Sequence, residues 1–126
     1  MAIIGVGTDI VEIARLRQAL GRQPGLAQRL LTSNEQNLMA AAKQPERYLA
    51  KRFAAKEAAL KALGTGLQNG LSWQHIEISN DALGRPLLAF SDNALVLADS
   101  LGVTQTHVSL SDEVDYAQAF VILEGV

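Results

Sequence analysis

The sequence predicts an α+β fold, an antiparallel sheet packed with helices, and three observations carry that reading. Ala2 to Val11 opens the chain as an apolar run of extended character. A segment of helical period, bounded by Pro45 and Gly64, dominates the middle. Two strand-like runs then close the chain, joined by the short acidic stretch Asp112-Glu-Val-Asp115. Helices gathered between such strands suit an antiparallel sheet with helices laid on it.

Taken in order, Ala2–Val11 is apolar on both alternating faces, which predicts a strand covered on both sides. A helix is expected over Glu12–Leu20, broken by Gly21 and Pro24-Gly25, with a short helix at Leu26–Leu31. Thr32 or Ser33 caps the next helix, and Glu35 stands where a capping box wants a carboxylate. Pro45 opens the longest helix, Glu46–Leu63, and Gly64-Thr-Gly66 closes it. Trp73–Ser79 reads as a strand, turned by Asn80-Asp-Ala-Leu-Gly84 into a second strand at Pro86–Phe90. Ser91 or Asp92 caps a helix that ends at Gly102, and strands follow at Gln105–Ser111 and Tyr116–Glu124.

The bulk numbers bound the function. The 126 residues make one domain, 1–126, large enough to bury a core without staples. With 48% hydrophobic and 19% charged residues the chain is globular rather than disordered. A net charge of −2 gives no global field for nucleic acid or an anionic membrane. The absence of cysteine excludes disulfides, thiolate metal sites and cysteine nucleophiles. Met1-Ala-Ile-Ile-Gly5 lacks a basic n-region, and no apolar run reaches spanning length, so a cytoplasmic protein is expected.

Two carboxylates occupy positions that stability alone does not explain. Gly5, Gly7, Asp9 and Val11 share one face of the first strand, and the glycines would leave bare backbone for a ligand beside Asp9. A helix cap or a pair with Arg15 is the simpler alternative. In the long helix, Leu49, Phe53, Leu60 and Leu63 form a narrow stripe with Lys56 in its middle and Arg52 and Glu57 on its flanks. Lys56 could snorkel to water, and Glu57–Lys61 could be a plain surface pair. If Asp9 and Glu57 converge, two carboxylates with open positions suit Mg²⁺ completed by substrate phosphates, and Arg52, Lys56 and Lys61 would balance the phosphate charge. No HExxH, Walker lysine loop or GxSxG occurs, and Gly5-x-Gly7 lacks the third glycine of a dinucleotide fingerprint. Physically, Gly64-Thr-Gly66 is better read as a helix terminator than as a phosphate cradle.

Gly5-Val-Gly-Thr-Asp-Ile-Val-Glu-Ile13, Arg52-Phe-Ala-Ala-Lys-Glu-Ala58 and Lys61-Ala-Leu-Gly-Thr-Gly66 closely resemble the motifs of the bacterial-type 4′-phosphopantetheinyl transferase family, the holo-acyl-carrier-protein synthases. The likeness extends through Trp73, Ile76-Glu-Ile78, Gly84-Arg-Pro86 and His107-Val-Ser-Leu-Ser111 to Tyr116-Ala117. It implies the family's fold and its reaction in fatty acid biosynthesis. The phosphopantetheine arm of coenzyme A passes to a serine of apo acyl carrier protein, and adenosine 3′,5′-bisphosphate is released. It also implies Mg²⁺ held by Asp9 and Glu57, and catalysis by these two with Lys61. Coenzyme A contacts are implied for Arg52, Lys56, Lys61, Gly64, Thr65 and Pro86, and carrier docking for Arg15 and Arg17. Relatives of this kind are homotrimers with shared active sites, so His75 and His107 become candidates for an interface.

One position departs from the pattern. Where many relatives have Ser-Leu-Ser-His, this chain has Ser109-Leu-Ser-Asp112, so no histidine role transfers to Asp112. The general base stays open between Glu57, a metal-bound water and Glu35. A non-catalytic module that binds coenzyme A or carrier protein is the rival reading, against which Asp9, Glu57 and Lys61 all stand. The double-length surfactin-type transferases are disfavoured by 126 residues without an internal repeat.

Overall fold

The structure, a computed structural model that describes residues 1–126, sets two antiparallel sheets against one long helix. Strand β1 (Ala2–Glu12) leads into helices α1 (Ile13–Arg22), α2 (Leu26–Leu30), α3 (Ser33–Ala41) and α4 (Pro45–Leu63). A 3₁₀ turn (Trp73–His75), strands β2 (Ile76–Asn80) and β3 (Pro86–Phe90), helix α5 (Asp92–Ser100) and strands β4 (Val103–Asp112) and β5 (Tyr116–Gly125) complete the chain. The main sheet has the order β1-β5-β4, and β2 and β3 form a separate hairpin. The expected single sheet is therefore two.

Helix α4 is the axis of the fold, and its ends are written in the sequence. Pro45 sits in the first turn, where its missing N–H costs nothing. Gly64 takes the left-handed conformation at φ 80°. Its N–H donates to Lys61 O, and the Thr65 N–H donates to Leu60 O, the paired bonds of a Schellman stop. Thr32 caps α3 with a full capping box: its hydroxyl accepts from the Glu35 N–H, and the Glu35 carboxylate accepts from the Thr32 N–H.

Small residues bring α4 onto the sheet. Ala50, Ala54, Ala58 and Ala62 are buried along the helix, and Ala117 and Ala119 are buried on β5. On β1 the partners are glycines. A Cβ on Gly5 would lie 1.8 Å from Ala62 O, and one on Gly7 would lie 1.9 Å from Ala58 O. These contacts correct the expectation that the glycines keep space for a ligand, because the space is filled by helix backbone.

Five further expectations change. Strand β1 is covered on one face only, with Val6 and Ile10 50% and 61% exposed on the other. Helix α1 runs through Gly21 to Arg22, and Leu26–Leu30 stops one residue short of the expected end. Trp73–His75 winds into a 3₁₀ turn before β2 begins, since the Ser72 hydroxyl accepts from the Gln74 N–H and His75 Nδ1 accepts from the Ser72 N–H. Ser91 occupies the N-cap position of α5 without a side-chain cap bond.

Candidate active site

The crossing of β1 over α4 decides where Asp9 falls. Gly5 meets Ala62 and Gly7 meets Ala58, so two residues along the strand correspond to four along the helix. The lengths agree, since each is a rise of about 6 to 7 Å. Two more strand residues bring Asp9 level with Ala54, so Glu57 lies on the turn between the Gly7 and Asp9 levels. The side chains meet accordingly. Lys61 Nζ donates to Asp9 Oδ1 at 3.1 Å and to Thr8 O at 2.9 Å. Burial pushes the Glu57 carboxyl above its ordinary range and the Asp9 charge pushes it further, while Lys61 only partly offsets them. Lys61 thus bridges to Asp9 rather than forming the plain surface pair with Glu57.

Two half-buried carboxylates that repel each other, beside one ammonium, form a site with negative charge left over. The donors are all oxygen and leave most coordination positions open, which fits a hard cation completed by water and phosphate. No group of three or more His, Cys, Asp or Glu side chains converges to hold a metal from protein ligands alone.

The other expected site residues are placed as follows. Lys56 is fully buried and does not snorkel. Its ammonium donates to Glu35 Oε1 at 2.6 Å, Leu30 O at 2.7 Å and Trp73 O at 3.0 Å, so all three protons are used inside the protein. The expected coenzyme A contact by Lys56 is corrected on that ground. Glu35 is equally buried and also accepts from the Ile78 N–H at 2.8 Å, which removes it as a general base. Burial pulls the Lys56 ammonium below its ordinary range, and the Glu35 carboxylate partly restores it.

Arg52 is 5% exposed, with its guanidinium 4.4 Å from the Tyr48 ring centre and Nη2 donating to Asn80 Oδ1. Asn80 pairs with Pro86 across the β2–β3 hairpin and donates to Gly84 O, so Arg52 braces the turn that carries Pro86. The Gly64 and Thr65 N–H groups are spent on the helix stop, which leaves the Thr65 hydroxyl as a polar atom at that corner. His107, on the open face of the sheet, lies 2.6 Å from Glu124, and His75 is tied to Ser72.

Asp112 is clamped. Arg47 Nη1 donates to its Oδ2 at 2.9 Å, and Lys51 Nζ stands 3.4 Å from Oδ1. Burial raises the Asp112 carboxyl, but the Arg47 hydrogen bond and the Lys51 charge outweigh it and hold the group below its usual range. An ionised, doubly paired carboxylate at this hairpin is a strut, not a proton donor.

Arg15 opens onto a groove of about 370 Å³ whose apolar wall includes Leu16, Leu26, Phe53 and Trp73. Arg22 and Arg29 line the same groove, whereas Arg17 is exposed outside its lining. Reading the sequence missed Arg22 and Arg29. The available signal was their seven-residue spacing from Arg15, interrupted by Pro24. Val11, two strand positions from Asp9, and Phe53, one helical turn before Glu57, also line the groove.

Comparison with known proteins gives the family. The model of the 4′-phosphopantetheinyl transferase superfamily matches residues 5–121. A holo-[acyl-carrier-protein] synthase of Shewanella denitrificans is 58% identical over 99% of this chain and 100% of its own length. The crystal structure of the holo-[acyl-carrier-protein] synthase of Neisseria meningitidis superposes with a TM-score of 0.91 at 41% identity, covering 98% of this chain and 99% of that one. A holo-(acyl-carrier-protein) synthase of Bacillus anthracis, in complex with CoA (3′,5′-ADP), gives 0.82 at 36% identity and covers 98% of each chain. The chain belongs to the 4′-phosphopantetheinyl transferase superfamily, as an enzyme of the holo-[acyl-carrier-protein] synthase family.

Proposed function

We propose that the enzyme moves the 4′-phosphopantetheine group of coenzyme A onto a serine of apo acyl carrier protein in a Mg²⁺-dependent reaction. The observation that carries this is the clustering of Asp9, Glu57 and Lys61, with the neighbours Val11 and Phe53 lining an arginine-bearing groove. The serine oxygen bonds to the phosphorus that bears the pantetheine arm, and the pyrophosphate P–O bond to the adenosine 3′,5′-bisphosphate breaks. The serine loses its proton. Asp9 and Glu57 would hold Mg²⁺, which supplies Lewis-acid stabilisation of charge on the phosphoryl oxygens when bound. Lys61 lies within reach of the same charge. Glu35 is buried and Glu57 would be engaged by the ion, so neither side chain first considered as general base serves, and the serine proton would pass to water. Thr65 beside Gly64, and Pro86 on the turn that Arg52 braces, would receive the nucleotide end.

Carrier docking falls to the groove. Arg15, Arg22 and Arg29 around an apolar floor suit a partner that offers acidic residues and an apolar side chain. Arg17, outside the lining, would serve only as a peripheral attraction. Incubation with coenzyme A, Mg²⁺ and apo carrier protein should add the phosphopantetheine mass to the carrier. No mass gain with several carrier proteins would overturn the reading.

The homotrimer is part of the same proposal. The open face of the main sheet carries Val6, Ile10, Tyr116 and Phe120, each at least 42% exposed, in a row that a single chain leaves in water. Coverage by further copies would complete the two-sided burial expected of β1 and bring neighbouring active sites together. We expect Phe120→Glu to give a folded monomer by light scattering, with transfer greatly reduced. A variant that stays trimeric, or a fully active monomer, would contradict the shared-site assembly.

A further inference from the structure

The Lys56–Glu35 pair has no part in the chemistry above, yet it is the most heavily bonded polar feature of the interior. Both side chains are completely buried, 2.6 Å apart. An ionised pair satisfies every contact: Leu30 O and Trp73 O can only accept, and the three protons of the Lys56 ammonium serve them and Glu35 together. Glu35 in turn accepts from the Thr32 and Ile78 N–H groups, so every bond it makes is as an acceptor.

A buried ion pair is a poor source of net stability, since well-packed apolar residues of similar volume often do as well or better. Its effect here is geometric. Through five hydrogen bonds it ties the end of α2, the start of α3, the 3₁₀ turn and β2 to one point on α4. The tied segments carry Arg29, Leu30 and Trp73, which form the groove wall opposite Arg15. The point on α4 immediately precedes Glu57. One exposed side chain reinforces the same link: Gln74 Nε2 donates to Gln28 O at 2.6 Å and to Leu31 O at 3.1 Å, joining the 3₁₀ turn to α2 a second time.

We infer that Lys56 and Glu35 are positioning residues that fix the carrier-docking groove relative to the Asp9–Glu57 site. The inference rests on the docking role proposed for the groove. It implies that loosening the tie affects the carrier substrate and spares coenzyme A.

The test is steady-state kinetics with each substrate varied in turn. Lys56→Met with Glu35→Gln removes both charges together, and the single amide oxygen of glutamine keeps an acceptor for one of the two N–H groups, Thr32 or Ile78, that Glu35 serves. Arg29→Glu serves as the control for docking. For the double variant we expect KM for apo carrier protein to rise about tenfold while KM for coenzyme A and kcat stay within about twofold. Gln74→Ala, which buries no orphaned charge, should raise carrier KM about threefold with the same selectivity. An Arg29→Glu enzyme with unchanged carrier KM would overturn the docking reading, and this inference with it. If Arg29→Glu weakens the carrier but the double variant does not, positioning alone is overturned. Equal rises in KM for both substrates would likewise overturn it. Should the double variant fail to fold, Gln74→Ala decides, and an unchanged carrier KM there would end the proposal.

Discussion

Glu57→Gln should lower transfer by about a thousandfold or more and, at neutral pH, make the folded protein more stable. The two effects have one cause. The Glu57 carboxylate is held in a half-buried place next to Asp9, and both burial and that neighbour favour its protonated form. Its folded-state pKa therefore lies above the unfolded value. The stabilising contribution of such a group is complete below the unfolded pKa and is lost as pH rises through the folded one. Glutamine carries no charge to desolvate or repel, so its advantage appears above the folded pKa and vanishes in acid. Loss of one of two cation ligands removes several kcal/mol of transition-state stabilisation, which sets the size of the activity loss. Thermal melts of both proteins from neutral pH to below the ordinary glutamate range, with transfer assays alongside, check the prediction. A Glu57→Gln protein that melts lower at neutral pH, or that keeps near-normal transfer, would contradict it.

Gly7→Ala should be among the most damaging small changes in the fold. Its added methyl would lie 1.9 Å from Ala58 O and 2.8 Å from Ala62 N, both backbone atoms of α4 that no rotamer change can move. The helix must lift from the strand, at a cost of about 3 kcal/mol or more, a large share of a typical domain's stability. Because the same crossing brings Glu57 to Asp9, transfer should fall with stability. Urea unfolding measures the first and the mass assay the second. A midpoint shift equivalent to less than about 0.5 kcal/mol would mean that α4 is not held against β1 by this contact.

Features controlled by local chemistry could be read directly from the residues. The Thr32–Glu35 capping box, Pro45 at the start of α4 and Gly64 at its end lie where turn and cap chemistry put them. Features that depend on what lies across the chain could not. Periodicity put Gly5 and Gly7 on the same face as Asp9, but only the α4 backbone above them reveals that they admit a helix rather than a ligand. Lys56 stood out as a cation inside an apolar stripe. Its partners are carbonyls and a carboxylate 17 to 26 residues away, brought near by tertiary structure alone. The apolar outer face of β1 suggested burial that one chain does not provide. The spacing of Arg15, Arg22 and Arg29 passes through a proline break, so no single helix wheel displays it.

The most direct test of the paired carboxylates is cation binding measured without turnover. Mn²⁺ titrations followed by electron paramagnetic resonance, with coenzyme A present or absent, would report whether the ion arrives with the pyrophosphate. We expect tight binding that requires coenzyme A in the wild-type protein and is lost in both Asp9→Asn and Glu57→Gln. Undiminished binding in either variant would show that Asp9 and Glu57 do not hold the ion together.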